Sequence, residues 1–144
     1  VDPSGAMGAI QRTLSNDIAC RQVARDFARP AAERRLFPHV DPGTLPGSSR
    51  ESDLAIRREI VHLHQRILGR DDTPESPEVE RTYQLFAGIV REAAETKSIE
   101  KRESYFCRPN RDHAGPEAED PHYTIRAWRA VVTYLLRRPE FLYE

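Results

Sequence analysis

Three side chains that bind metals or act as nucleophiles lie in the last third of the chain: Cys107, His113 and His122. A thiolate and two imidazoles are ligands that Zn²⁺ accepts. Structural zinc sites, however, bring their ligands in short, paired spacings such as C-x₂-C, and these three are scattered. We favour the interpretation that the histidines lie on the surface and that Cys107 is buried or disulfide-bonded. Binding of a metal ion by these three side chains is the alternative. Neither cysteine of the chain belongs to a C-x-x-C-H haem attachment motif, so we predict no cofactor.

The chain holds two cysteines, Cys20 in a predicted helix and Cys107 in a predicted loop. Their spacing is compatible with a disulfide and with two thiols. In an exported protein, a bridge would restrict the unfolded chain and stabilise the fold by ~3 to 5 kcal/mol. In a cytosolic protein, both would be ordinary buried or idle thiols. The sequence leaves both alternatives open.

The remaining candidates for catalysis have structural explanations. His62 and His64 lie two positions apart, so on a helix they point about 200° apart and do not bind one ion together. Glu78 and Glu80 open a predicted helix, where carboxylates complement the helix dipole. The sequence contains neither a phosphate-binding glycine loop nor a G-x-S-x-G elbow. We assign no catalytic residue and favour a non-catalytic protein.

Arginines concentrate on two predicted helices. The second helix carries Arg57, Arg58, Arg66 and Arg70, and the last carries Arg126, Arg129, Arg137 and Arg138. If the two faces adjoined, they would form an anion-binding surface. The net charge of -1 makes nucleic acid an unfavoured partner. We interpret the arginines mainly as solvated faces and ion pairs worth ~0 to 1 kcal/mol each, and the set on the last helix as the candidate interaction surface.

The elements that would position these residues are helices. Apolar residues at every third or fourth position predict four of them, over about 15–28, 52–69, 76–96 and 121–138. Proline and glycine mark several of the ends: Pro30 and Gly69 close two helices, and Pro77 and Pro121 are suited to the first position of two others. The segments show neither strand-like alternation nor an internal repeat. The fold class is therefore predicted as all-α, a bundle of about four helices.

Two long connections, 33–50 and 99–120, are rich in turn-forming residues. The first holds three apolar residues that we expect to pack against the core, Leu36, Phe37 and Val40. After Pro139 the chain ends in Phe141, Leu142 and Tyr143, and a solvated tail has no need of three such side chains. We therefore predict a docked C-terminal tail.

The length of 144 residues fits one domain. Residues 1–9, which include Gly-Ala-Met-Gly, are typical of the remnant of a cleaved expression tag, so we assign the domain to 10–144 and expect it to be cut from a longer protein. No apolar run reaches the roughly 20 residues that cross a bilayer, so no membrane span is predicted.

Segments 62–69 (HLHQRILG), 78–86 (EVERTYQLF) and 139–144 (PEFLYE), together with 124–136, resemble a type of bacterial helical domain. These domains of unknown function occur in large exported proteins associated with c-type cytochromes. The resemblance extends over about 10–144 and rests on packing motifs, so it carries over no catalytic residue. It implies a periplasmic or extracellular helical module that is compatible with a disulfide.

The leading hypothesis is a non-catalytic structural or interaction module that packs against another domain or protein. The first alternative is an enzyme or a metal- or ligand-binding domain that uses the segment 99–122. The second is binding of an anion or nucleic acid by the arginine-rich helix faces. A ligand site predicts that the histidines of 99–122 converge on a pocket, and an interaction module predicts an exposed apolar surface.

Overall fold

The computed structural model describes residues 5–96, 98–104, 107–108 and 117–138, with side chains from Ser15 onward. This part of the chain forms four α-helices: α1 (Gly5–Phe27), α2 (Arg50–Leu63), α3 (Pro77–Glu95) and α4 (Thr124–Leu136). A 3₁₀ turn, Ala31–Glu33, follows α1, and a π-helical turn, His64–Leu68, continues α2. The described residues form no strand, although Arg102 and Glu119 make an isolated bridge. The all-α prediction is confirmed.

The starts of α1 and α2 differ from the predicted ones. Helix α1 begins at Gly5, well before the predicted start at Ser15. Helix α2 begins at Arg50, before the predicted start at residue 52, because the Ser49 side chain caps it by accepting the Ser52 N–H at 3.0 Å. Gly69 ends the π-helical turn with a φ of 68°, the left-handed conformation that glycine adopts without strain.

Some predictions fall outside the described residues. The docked tail, Phe141 to Tyr143, is one of them, and residues 1–4 of the proposed tag remnant are another. The backbone of residues 5–9 is the first turn of α1, and their assignment to a tag stays a prediction. Among the helices that the structure describes, none has the length and apolar character to cross a membrane.

Trp128, in the middle of α4, is the centre of the core. Its ring stacks on that of Phe86 from α3, with centroids 4.0 Å apart, and lies 5.6 Å from the ring of Phe37. Phe37 in turn stacks on Phe27 at 4.4 Å. Large aromatic side chains bury the most apolar surface per residue, so we expect this stack to contribute strongly to the hydrophobic stabilisation. The expected packing of the first connection is confirmed, because Phe37 is fully buried and Val40 almost so.

A buried carboxylate fixes the irregular chain that carries Phe37. The side chain of Asp26 accepts the N–H groups of Arg35, Leu36 and Phe37 at 2.8 to 3.0 Å. It also pairs with Arg29 at 2.9 Å. Backbone that leaves regular structure inside a protein needs such partners for its N–H groups. Asp26 therefore holds the proline-rich segment in the conformation that places the Phe37 ring in the core.

Glu59, on the inward face of α2, is fully buried. Its Oε1 accepts the N–H of His39 at 3.1 Å, while its Oε2 has no described hydrogen-bond partner. Burial raises the pKa of Glu59 to about 9, against the lowering effect of the His39 hydrogen bond, and the charge of Asp26 adds to the rise. Near neutral pH the side chain is therefore a neutral acid in the folded protein.

We predict that stability falls with rising pH because folding takes up a proton at Glu59. Between the ordinary pKa of 4.5 and about 9, the folded state holds this proton and the unfolded state does not. The free energy of unfolding should therefore fall by about 1.4 kcal/mol per pH unit in that window. Glu59→Gln keeps a carbonyl oxygen for His39 and should remove about that much of the slope, measured by urea unfolding at several pH values. A slope unchanged by the substitution would contradict a neutral Glu59.

Candidate functional site

The structure places the sulfur atoms of Cys20 and Cys107 within disulfide-bonding distance, with their α-carbons 4.8 Å apart. Of the two alternatives, this geometry favours the bridge, which joins α1 to the segment before α4. Cys107 is almost completely buried, and its sulfur accepts a hydrogen bond from Nη1 of Arg129 at 3.1 Å. A bridged Cys107 has no thiolate to offer a metal ion.

Neither of the other two metal candidates is described beside this cysteine. His113 lies outside the described residues, and His122 is exposed. His122 lines a pocket of about 260 Å³ with Ile99 and Lys101, and Cys107 is not among the residues described around it. Within the part of the chain that the structure describes, no group of three or more His, Cys, Asp or Glu side chains is arranged to hold a metal ion.

The sequence did not predict a chain of hydrogen bonds between buried side chains at the end of α2, which we call the relay. Nδ1 of His64 lies 2.8 Å from Oδ2 of Asp72, and Nε2 lies 2.9 Å from the hydroxyl of Thr82. Hydrogen bonding by Arg70 lowers the pKa of Asp72, as does its bond to His64. The order acid, imidazole and hydroxyl is that of a nucleophile relay, but His64 and Thr82 are only 2% and 1% exposed. The relay therefore ties the π-helical turn to α3 instead of presenting a nucleophile.

The N-terminus of α4 is built around Asp120. Its fully buried carboxylate accepts the N–H groups of Ile125 and Arg126 at 3.0 and 3.1 Å, and pairs with the Arg126 guanidinium at 2.9 Å. The predicted helix start at Pro121 was too early, since α4 begins at Thr124. Tyr123, between them, adopts a left-handed φ of 64° and lies under the Arg126 guanidinium at 4.1 Å. Asp120 still satisfies the free amides of the first turn, but from outside the helix.

An open groove of about 890 Å³ runs along the outer face of α4. Leu85 and Ile89 of α3 form one wall. The opposite wall includes Tyr134 and all four arginines of the predicted interaction surface, Arg126, Arg129, Arg137 and Arg138. They converge because α4 buries its Trp128 face, so positions offset by three, four or seven residues on the other face share one stripe.

The arginines of this groove differ in how far they are neutralised. Arg126 is buried and forms an ion pair with Asp120. Arg129 lies 3.4 Å from Oε1 of Glu103, and burial raises the pKa of that carboxyl group. Arg138 lies 3.6 Å from a carboxylate oxygen of α3. Arg137 is exposed and forms no ion pair with the described residues. Positive charge therefore faces the groove mainly from the three later arginines.

The arginines of the predicted second helix lie elsewhere. Arg57 pairs with Glu80 and lies 4.2 Å from the centre of the Tyr83 ring, and Arg70 pairs with Asp72. Neither of the two described pockets that α4 arginines line includes an α2 arginine. Binding of an anion or nucleic acid by both faces together stays a prediction.

We predict that Asp120→Ala destabilises the protein by about 3 to 5 kcal/mol, because it leaves the Arg126 guanidinium buried without its counterion. The matched control is Asp17→Ala, which removes an acid whose pair with Arg21 is half exposed on α1 and should cost less than about 1 kcal/mol. Urea unfolding of both variants measures the difference. Equal costs would show that the buried pair does not hold the start of α4.

Neither a protein-family model, nor a curated protein, nor a solved structure matches this chain. The resemblance to helical domains of exported, cytochrome-associated proteins stays a prediction. The geometry of the described residues is therefore the ground on which a function is proposed.

Proposed function

We propose that this protein is a non-catalytic helical interaction module whose α4 groove binds an acidic, amphipathic helical segment of another domain or protein. The observation that carries the proposal is the composition of the groove. Its eleven described lining residues include four arginines and two tyrosines, and none of them is acidic. The whole chain has 23 acidic residues against 22 basic ones, so the groove represents a local separation of charge. Tyrosine and arginine are also the residues that most often dominate binding energy at protein interfaces.

The two walls of the groove suggest the pattern of the partner. Leu85 and Ile89 are one helical turn apart on α3 and partly exposed, so they offer a narrow apolar strip. The arginines of α4 offer donors along the opposite wall. A partner helix with leucines on one stripe and glutamates on the adjoining stripe would bury its apolar side chains and pair its charges at the same time.

The length of the groove sets the length of the partner. Lining residues run from Tyr123 to Arg138. At a rise of about 1.5 Å per residue this corresponds to about 22 Å, or a partner helix of about 15 residues. A segment of that length is marginal as an isolated helix, and binding would supply the stabilisation that it lacks.

The arginines would contribute to binding in different ways. Arg129 and Arg138 are 29% and 21% exposed, so their charges are partly desolvated before a partner arrives. Pairs formed there strengthen because the surrounding dielectric is low. Arg137 is exposed, and a charge at such a position mainly accelerates association and makes it sensitive to salt.

The test uses a designed helical peptide of about 15 residues, with leucine and glutamate on adjoining stripes, and a matched peptide in which every glutamate is glutamine. We predict that the glutamate peptide binds at least about tenfold more tightly in calorimetric titrations, and that added salt reduces the difference. Equal affinity of the two peptides would contradict recognition of an acidic partner.

Charge reversal in the protein localises the binding site. Arg137→Glu should weaken binding of the glutamate peptide about tenfold, because it places like charges opposite one another. The matched control is Arg66→Glu, which makes the same change of charge at an exposed position outside the groove and should alter affinity by less than about twofold. Equal effects of the two variants would indicate a general effect of net charge and would contradict the groove as the site.

A further inference from the structure

A single guanidinium joins the cysteine pair to the groove. Nη1 of Arg129 donates to the sulfur of Cys107 at 3.1 Å, and Nη2 lies 3.4 Å from the carboxylate of Glu103. The same side chain is part of the groove wall. A change in the charge of the Cys107 sulfur would therefore act directly on a group that faces the proposed partner.

The two sulfur atoms are not equivalent. Cys107 is 1% exposed and is the one that contacts Arg129. Cys20, on α1, is partly exposed. A reductant approaching from solvent therefore meets the sulfur of Cys20 first, and the thiolate that leaves is the one beside a guanidinium, which stabilises it.

We propose that the Cys20–Cys107 pair is an exchange-active disulfide that sets the charge of the α4 groove through Arg129. The inference deepens the proposed function and rests on it. The reductant is a dithiol, of the class that thioredoxin-like proteins and dithiothreitol share.

The exchange is balanced in two steps. A thiolate of the dithiol attacks the Cys20 sulfur, the bond between the two protein sulfurs breaks, and Cys107 leaves with the electron pair as a thiolate. The second thiol of the reductant then displaces Cys20, which takes up a proton. Two electrons pass to the protein, the dithiol becomes a disulfide, and its other proton goes to solvent or to Cys107.

The charge of the groove follows the state of the sulfur. In the disulfide the Cys107 sulfur is neutral and accepts only a weak hydrogen bond, so Arg129 keeps its charge for a partner. After reduction the thiolate and Arg129 form an ion pair, which cancels that charge. Glu103, on the other side of the guanidinium, lies 3.4 Å from Nη2, whereas Nη1 lies 3.1 Å from the Cys107 sulfur, so a thiolate at Cys107 would be in direct contact with Arg129. Reduction is therefore expected to weaken binding of an acidic partner.

Two variants separate this effect from loss of the cross-link. Cys20→Ser and the double variant Cys20→Ser/Cys107→Ser both lack the bridge, but only the first keeps the Cys107 thiol. At about pH 8 the single variant should bind the glutamate peptide at least about threefold more weakly than the double variant, with circular dichroism confirming that both are folded. Equal affinities would overturn the coupling. A wild-type protein that binds neither peptide would instead refute the proposed function.

The exchange step is tested separately, by measuring how fast the oxidised, folded protein is reduced, and this measurement needs no partner. Arg129→Gln should slow reduction by dithiothreitol at least about threefold, because the leaving thiolate loses its cation. Arg66→Gln, the control, removes an exposed charge that is not among the residues lining the groove and should leave the rate as in wild type. If Arg129→Gln is reduced as fast as wild type, the exchange proposal is wrong, whatever the peptide titrations show.

Discussion

Burial of Trp128 is the interaction on which the rest of this structure depends. Its ring lies between Phe86 of α3 and Phe37 of the first connection, and α4 also packs on α1 and on the π-helical turn. Because a helix that buries one face must present the other, the position of Trp128 also determines which residues face outward. The groove therefore lies on the face of α4 opposite the face that packs into the core.

Buried acids hold the irregular parts of the chain to this helix core. Asp26 gathers three backbone N–H groups and Asp120 joins two amides to a guanidinium. Glu59 has a single hydrogen bond, and its pKa of about 9 reflects that poorer solvation. The described lining of the groove includes four arginines and no acidic residue, so a nearly neutral chain presents a local positive surface there.

Helix content and the apolar stripes follow from periodicity, so the sequence predicted the four helices and the burial of Phe37. The start of α4 was missed because Asp120 caps it across the left-handed residue Tyr123, a geometry without a spacing rule. The arginines of α4 were identified from their position off the apolar stripe, but their division into buried and exposed members depends on tertiary partners such as Asp120. The contact of Arg129 with Cys107 joins residues from separate segments, and no local pattern indicates it.

The central claim is that the outer face of α4 is a binding surface for an acidic helix. Amide chemical-shift mapping of the ¹⁵N-labelled protein during titration with the glutamate peptide tests it most directly. We predict that the largest shifts occur at Leu85 and Ile89 of α3, at Ala130 and Thr133 of α4, and at Arg137, which directly follows α4. Shifts that centre instead on the exposed arginines of α2, or that are equally spread over the charged surface, would contradict it.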